Sequence, residues 1–160
     1  MFGEPTKEHA WLKQLIGNWT YAGECNVGPD QPTMKSSGTE TVRPLGDLWI
    51  VAEGSGEMPG GGAARTMMTL GYDATGKIYR GTWIGTMMPH LWVYEGRMDA
   101  DKRILTLAAD GPSMSGDGTM QRYEDIIEIV DEDHRIMRGR VLGSDGKWTH
   151  FMQTHYRRER

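Results

Sequence analysis

One cysteine, Cys25, in a chain of 160 residues excludes an internal disulfide and a multi-cysteine zinc site, and suits a reducing compartment. A lone thiol with no histidine partner set by the sequence reads as a small packing residue rather than a nucleophile. No run approaches the roughly 18–20 apolar residues that a spanning helix needs. A basic surplus is also missing. Lys and Arg total 18 against 22 Asp and Glu, a net charge of −4, which excludes the basic face expected of a nucleic-acid or anionic-membrane binder. Met1-Phe2-Gly3-Glu4-Pro5 lacks the basic and apolar regions of a secretory signal. Together with Cys25, that predicts a cytoplasmic protein.

What is abundant is glycine, 22 residues, about twice its usual share. Six Trp, six Tyr and twelve Met supply the bulk that two Phe do not. Glycine-rich, aromatic-rich and short of long apolar runs is the composition of a turn-rich β protein. The length predicts one domain spanning 1–160. Thr6 as N-cap, the stripe Trp11, Leu12, Leu15, Ile16, and Gly17 as a stop predict one helix over about 6–16. From there the period is two. Ten strands are predicted at 19–26, 38–44, 48–57, 64–72, 77–84, 90–98, 103–109, 120–130, 135–142 and 147–157. With no second helix to make parallel crossovers, the chain reads as an all-β antiparallel meander. Closing it into an up-and-down barrel over about 18–157 removes the sheet edges.

Alternation then predicts the lining. In 90–98 the inward face is His90, Trp92, Tyr94, Gly96 and Met98; in 148–156 it is Trp148, His150, Met152, Thr154 and Tyr156. Aromatic faces dotted with polar groups suit a cavity. Successive loops of a meander emerge at alternate ends. The loops 27–37, 58–63, 85–89 and 110–119 share one end and carry Met34, Met58, Met87, Met88 and Met114. The other end has short polar turns such as Asp73-Ala74-Thr75-Gly76 and Asp99-Ala100-Asp101-Lys102. The loose, Met-rich end reads as a ligand mouth. The helix enters from the tight end and plugs it.

Several segments also resemble a known family. They are His9-Ala10-Trp11-Leu12, Leu15-Ile16-Gly17-Asn18-Trp19, Met58-Pro59-Gly60-Gly61, Thr69-Leu70-Gly71-Tyr72-Asp73, Gly81-Thr82-Trp83-Ile84, Trp92-Val93-Tyr94-Glu95-Gly96, Gly146-Lys147-Trp148 and Tyr156-Arg157-Arg158. Gly17-x-Trp19 after a helix looks like the start of lipocalin-like (calycin) barrels, and the whole set resembles the bacterial family catalogued as domain of unknown function 1579. The resemblance implies a lipocalin-like barrel and brings no established activity.

Candidate chemistry is sparse. His9 on the helix and His134 in an acidic turn read as solvent-facing, and His150 and His155 as lying on opposite strand faces. No His-x-His or HExxH pattern supports a metal site, and no cofactor is implied. The segment Met58–Ala64 lacks the Gly-Lys-Ser/Thr ending and following helix of a phosphate loop. Glu53, Glu95 and Asp125 are the candidate acids, and the plainer reading has them outward or paired with Arg43, Arg80, Arg97 or Arg122; alternation places Glu95 opposite the aromatic face. Asp125, in phase with Tyr123, Ile127 and Ile129, reads as the interior acid. The predicted function is non-enzymatic binding of a small hydrophobic or amphipathic molecule. Trp83, Trp92 and Trp148 would supply apolar contact, Tyr94, His150 and Tyr156 would orient a polar head, and Met87, Met88 and His90 would form the mouth. Two alternatives stand beside it: an enzyme using Asp125 or His150 as acid or base, and a filled barrel whose Met-rich rim docks a protein or forms a homodimer.

Overall fold

The computed structural model describes residues 2–26, 28, 30–58 and 61–160. Val27 and Pro29 of the first predicted loop, and Pro59 and Gly60 of the second, lie outside the described residues. The elements are α1 (Lys7–Lys13), β1 (Gly17–Cys25), β2 (Met34–Leu45), β3 (Trp49–Glu57), β4 (Ala63–Asp73), β5 (Ile78–Gly85), β6 (Met88–Met98), β7 (Ile104–Pro112), β8 (Met120–Asp131), β9 (His134–Leu142) and β10 (Trp148–Arg158). Each strand pairs antiparallel with its sequence neighbours, and β1 also pairs with β10, giving a closed barrel. The class expected from periodicity, an all-β antiparallel barrel of ten strands with a short N-terminal helix, is the one observed.

The differences have local causes. β2 begins at Met34 rather than 38, because Lys35, Ser36 and Ser37, though not alternating in hydropathy, pair with Glu24, Gly23 and Ala22 of β1. β7 runs on through Gly111 and Pro112, which pair with Gln121 and Met120. The expected 85–89 loop shrinks to Thr86 and Met87, since Gly85 pairs with Met88; Met88 is thus a strand residue. The helix is shorter than predicted and gives way after Lys13 to tight turns, in which the Leu15 and Ile16 amides donate to the Leu12 and Lys13 carbonyls at 3.1 Å.

His9 is not solvent-facing: it is 5% exposed. The Thr6 amide donates to His9 Nδ1 at 2.9 Å, so His9 takes the part an acidic side chain plays in a capping box. With Nδ1 accepting, the ring hydrogen sits on Nε2 and is donated to the Tyr72 carbonyl at 3.1 Å. That bond pins the helix to β4.

The helix plugs the tight end as the alternation of loops requires. Leu12 and Leu15 are buried in the barrel floor, and the Leu15 carbonyl accepts from Trp19 Nε1 at 2.9 Å. Trp11 Nε1 donates to the Lys102 carbonyl at 2.7 Å, across the β6–β7 turn. Above the helix the floor is filled by Val42, Ile50, Leu70, Tyr79, Leu105, Leu107 and Ile127.

Candidate functional site

Cross-strand partners share a face, so the registers show which side chains point into the barrel. Tyr94 pairs with Gly81 and Trp92 with Trp83, which places β6 as the alternation predicts: Met88, His90, Trp92, Tyr94 and Met98 inward. β10 departs from the expectation. Tyr156, Thr154 and Met152 pair with the inward Arg135, Met137 and Gly139. A bulge between His150 and Met152 then reverses the phase, and His150 pairs with Arg140, Trp148 with Leu142. Trp148 and His150 therefore face outward, and Trp148 packs under the Arg140 guanidinium, 4.6 Å from ring centroid to Cζ. Phe151 turns inward in their place and meets Tyr123 edge-on, centroids 6.1 Å apart. The same bulge puts His150 and His155 on one face, the outer one. A uniform period of two cannot foresee an extra residue.

His134 and His155 form a pair that the sequence reading also misses, because it joins neighbouring strands 21 residues apart in the chain. The rings stack at 5.1 Å with Nε2 and Nδ1 2.8 Å apart. Burial, then the nearby Arg157 and His155, hold His134 below the usual histidine range. Glu53 and Glu95 pair outward with Arg43 at 2.6 Å and Arg80 at 3.5 Å. Burial pushes the Cys25 thiol up, away from nucleophilic character.

The interior has two levels. Near the floor, Glu40 and Arg135 form a buried ion pair. The guanidinium lies between two rings, 3.9 Å from the Tyr156 centroid and 4.7 Å from that of Trp19. A cavity of about 20 Å³, large enough for one water, touches Glu40, Arg135 and apolar floor residues. Among the described residues Arg135 Nε has no hydrogen-bond partner.

At mid-height stands Asp125, flanked across the sheet by Leu107 and Gly139. Tyr94, 2% exposed, donates its hydroxyl to Asp125 Oδ2 at 2.5 Å. Burial raises the carboxyl to about 6, against the opposing effect of that hydrogen bond. Tyr94 is held well above its ordinary range by burial and then by Asp125; Tyr156 is raised by burial, then by Glu40, with a smaller contribution from Asp125. The interior position that alternation predicts for Asp125 is the one observed.

Toward the loose end the lining is aromatic on one side and nearly bare on the other. Trp92 meets Tyr123 at 5.1 Å and His90 at 4.8 Å, both edge-on. Its Nε1 donates to Met88 Sδ at 3.1 Å, and His90 Nε2 lies 3.0 Å from the Asp110 carbonyl. Across from them β2 and β3 present Gly38, Gly54 and Gly56. Tyr21 lies over this wall: a Cβ at Gly56 would sit 2.2 Å from its Oη, so only glycine fits beneath the ring. Trp83, Trp92, Met152, Tyr156 and Asp125 all point inward yet are only half-buried. Leu105 and Leu107 in the floor, by contrast, keep no accessible surface. A second concavity, about 950 Å³ and open to solvent, runs along the outer wall beside Glu24, Lys35, Ser37, Glu57, Gln153 and His155. Nothing in the sequence pattern signals that groove.

Among the described residues no helix is long and apolar enough to cross a membrane, and no cluster of three or more metal-ligating side chains occurs. The features together define a closed ten-stranded β-barrel, sealed at one end by a helix and carrying a polar cluster at mid-lumen. The chain belongs to a family of proteins of unknown function, DUF1579, whose pattern matches residues 4–158. No curated protein matches it. Among solved structures it is similar to Rv2717c from M. tuberculosis, with a TM-score of 0.65 and 11% identity over 98% of this chain and 100% of that one. It is also similar to a de novo designed fluorescence-activating β-barrel, with a TM-score of 0.51 and 14% identity over 92% and 95% of the two chains. A third similar structure, EF1p2_mFAP2b bound to DFHBI, has a TM-score of 0.51 and 11% identity over 94% and 98%. At such identities the likeness is one of fold.

Proposed function

We propose that this protein is a cytoplasmic, non-enzymatic carrier or sensor that binds a small hydrophobic or amphipathic molecule in the loose-end half of its barrel. The observation that carries the reading is the contrast along the lumen: Leu105 and Leu107 are 0% exposed in the floor, while Trp83, Trp92 and Met152 above them point inward and stay half-buried. Trp83 and Trp92 form the apolar wall in this reading, Met87, Met88 and His90 the rim, and Tyr94 and Tyr156, with Asp125, the polar base. Unbranched thioethers adapt to varied shapes, so Met88 and Met152 are the side chains that yield to a ligand. The DFHBI-bound barrel supports the reading only in that a barrel of this fold has room for a small molecule. The lone Cys25 supports the cytoplasmic placement. Trp148 and His150, facing outward, drop out of the lining.

The test is a tryptophan-fluorescence titration with fatty acids, isoprenoids, haem and long-chain amines, paired with native mass spectrometry of the same samples. Saturable quenching in the parent, weakened in the double variant Trp83→Phe/Trp92→Phe and matched by a 1:1 adduct mass, is the expected result. A flat titration and an unchanged mass across the panel overturn the reading.

A further inference from the structure

The inward-facing charges are few enough to sum. Glu40 and Arg135 cancel in their ion pair, with the guanidinium 3.9 Å from the Tyr156 ring centroid and 4.7 Å from that of Trp19. Arg158, which pairs with Trp19 at the tight end, is held there by the Ile16 and Gln14 carbonyls and by Asp133 at 3.6 Å. His90 sits at the rim with Nε2 against the Asp110 carbonyl. What is left is Asp125. Among the described residues its side chain meets the Tyr94 hydroxyl and no cation. A carboxylate in that position carries an uncompensated negative charge into a low-dielectric interior, a costly arrangement unless something pairs with it.

We propose that the barrel's ligand is an apolar amine whose protonated nitrogen pairs with the Asp125 carboxylate; this deepens the lumen reading above and rests on it. Three further features fit a cation. Two tyrosines stand near the carboxylate, Tyr94 as its hydrogen-bond donor and Tyr156 farther off, and a tyrosine ring attracts an ammonium over its face where it would repel an anion. Gly139, the β9 neighbour of Asp125, contributes no side chain. The space over it is taken by Phe151 Cζ and the Met152 methyl, 3.0 and 3.3 Å from where a Cβ would stand. Met152 can rotate away at small cost, which opens a path from the loose end to Asp125. Last, the carboxyl, raised only to about 6, is mostly ionised at neutral pH and ready to pair. An anionic head group would face an unneutralised like charge there, and a neutral one would leave that charge unpaired.

The experiment compares n-octylamine, n-octanol and octanoate, which share one tail, at pH 7.5 by tryptophan quenching and calorimetry. It uses the full chain and the Asp125→Asn variant, with circular dichroism confirming the variant's fold. A charge-assisted hydrogen bond predicts octylamine tighter than octanol by about tenfold or more, with octanoate weakest. In Asp125→Asn the amine should lose that advantage while octanol binding persists. Equal binding of all three heads, or octanoate the strongest, overturns the amine assignment and leaves the lumen as a binding site. Failure of all three to bind the parent overturns both readings. Should the variant misfold, the order of the three ligands on the parent still decides.

Discussion

The two halves of this barrel share one hydrogen-bonded wall and differ in everything the wall encloses. At the tight end the helix closes the opening, and Leu70, Leu105, Leu107 and Ile127 are at most 1% exposed. At the loose end, β2 and β3 contribute glycines, Trp83 and Trp92 are half-buried, and Met87, Met88 and His90 form the rim. Strand pairing alone makes a cylinder; what fills it is set by side chains at every second position. Stability is thus concentrated where the lumen is packed, which frees the other half to carry adaptable and polar groups that a tight core would not tolerate.

That division can be broken most severely at Arg135. Replacing it by alanine leaves Glu40 as a buried unpaired charge and empties the space between Trp19 and Tyr156. A loss of about 4 kcal/mol in urea unfolding is expected. Leu107→Ala, a cavity in the packed floor, should cost about 3 kcal/mol. Met88→Ala, at the half-buried rim, should cost about 1 kcal/mol or less, because less contact is lost and the site can collapse. Comparable losses for Leu107→Ala and Met88→Ala would mean that the halves do not differ in packing as described.

Asp125 sits at the boundary, and pH reads its position. Its carboxyl is about 6 in the folded chain against 3.8 as an ordinary aspartate, so the folded state holds the proton more tightly. The stability this provides is fully present below about 3.8 and is lost as pH rises through about 6. The groups facing it are the Tyr94 hydroxyl and, farther off, Tyr156, with Glu40 and Arg135 paired below. Asparagine can still accept from Tyr94 but does not titrate. Asp125→Asn should therefore gain up to about 3 kcal/mol over the parent at pH 7, and little at pH 4. A parent-minus-variant difference that is flat between those pH values would place Asp125 in water rather than in the lumen.

How much of this was legible in the sequence depends on whether a feature is carried by period or by contact. The number and order of the strands, the inward face of β6 and the interior Asp125 follow from alternation, and the helical plug from its apolar stripe; the element bounds shift where pairing decides them. The Glu40–Arg135 pair was not legible, since its members are 95 residues apart and nothing local marks either as inward. His9 as a helix cap was missed because the capping box is usually read from an acid, not an imidazole. The bulge in β10 was missed for the plainest reason: one unpaired residue changes no composition and no propensity, yet it turns the side chains beyond it to the opposite face.

That bulge yields the smallest and most discriminating prediction. If the phase reverses at Phe151, Trp148 lies on the outer wall with the Arg140 guanidinium above it, and Arg140 is held in turn by Glu124. A cation–ring contact that is not fully desolvated contributes about 0.5–1 kcal/mol. Trp148→Ala should then cost about 1 kcal/mol and leave ligand-induced quenching of Trp83 and Trp92 unchanged in amplitude and midpoint. Phe151→Ala, on the opposite face and packed on Tyr123, should shift that midpoint although it removes a smaller side chain. The reverse pattern, with Trp148→Ala weakening binding and Phe151→Ala silent, would restore the uniform alternation and return Trp148 and His150 to the lumen.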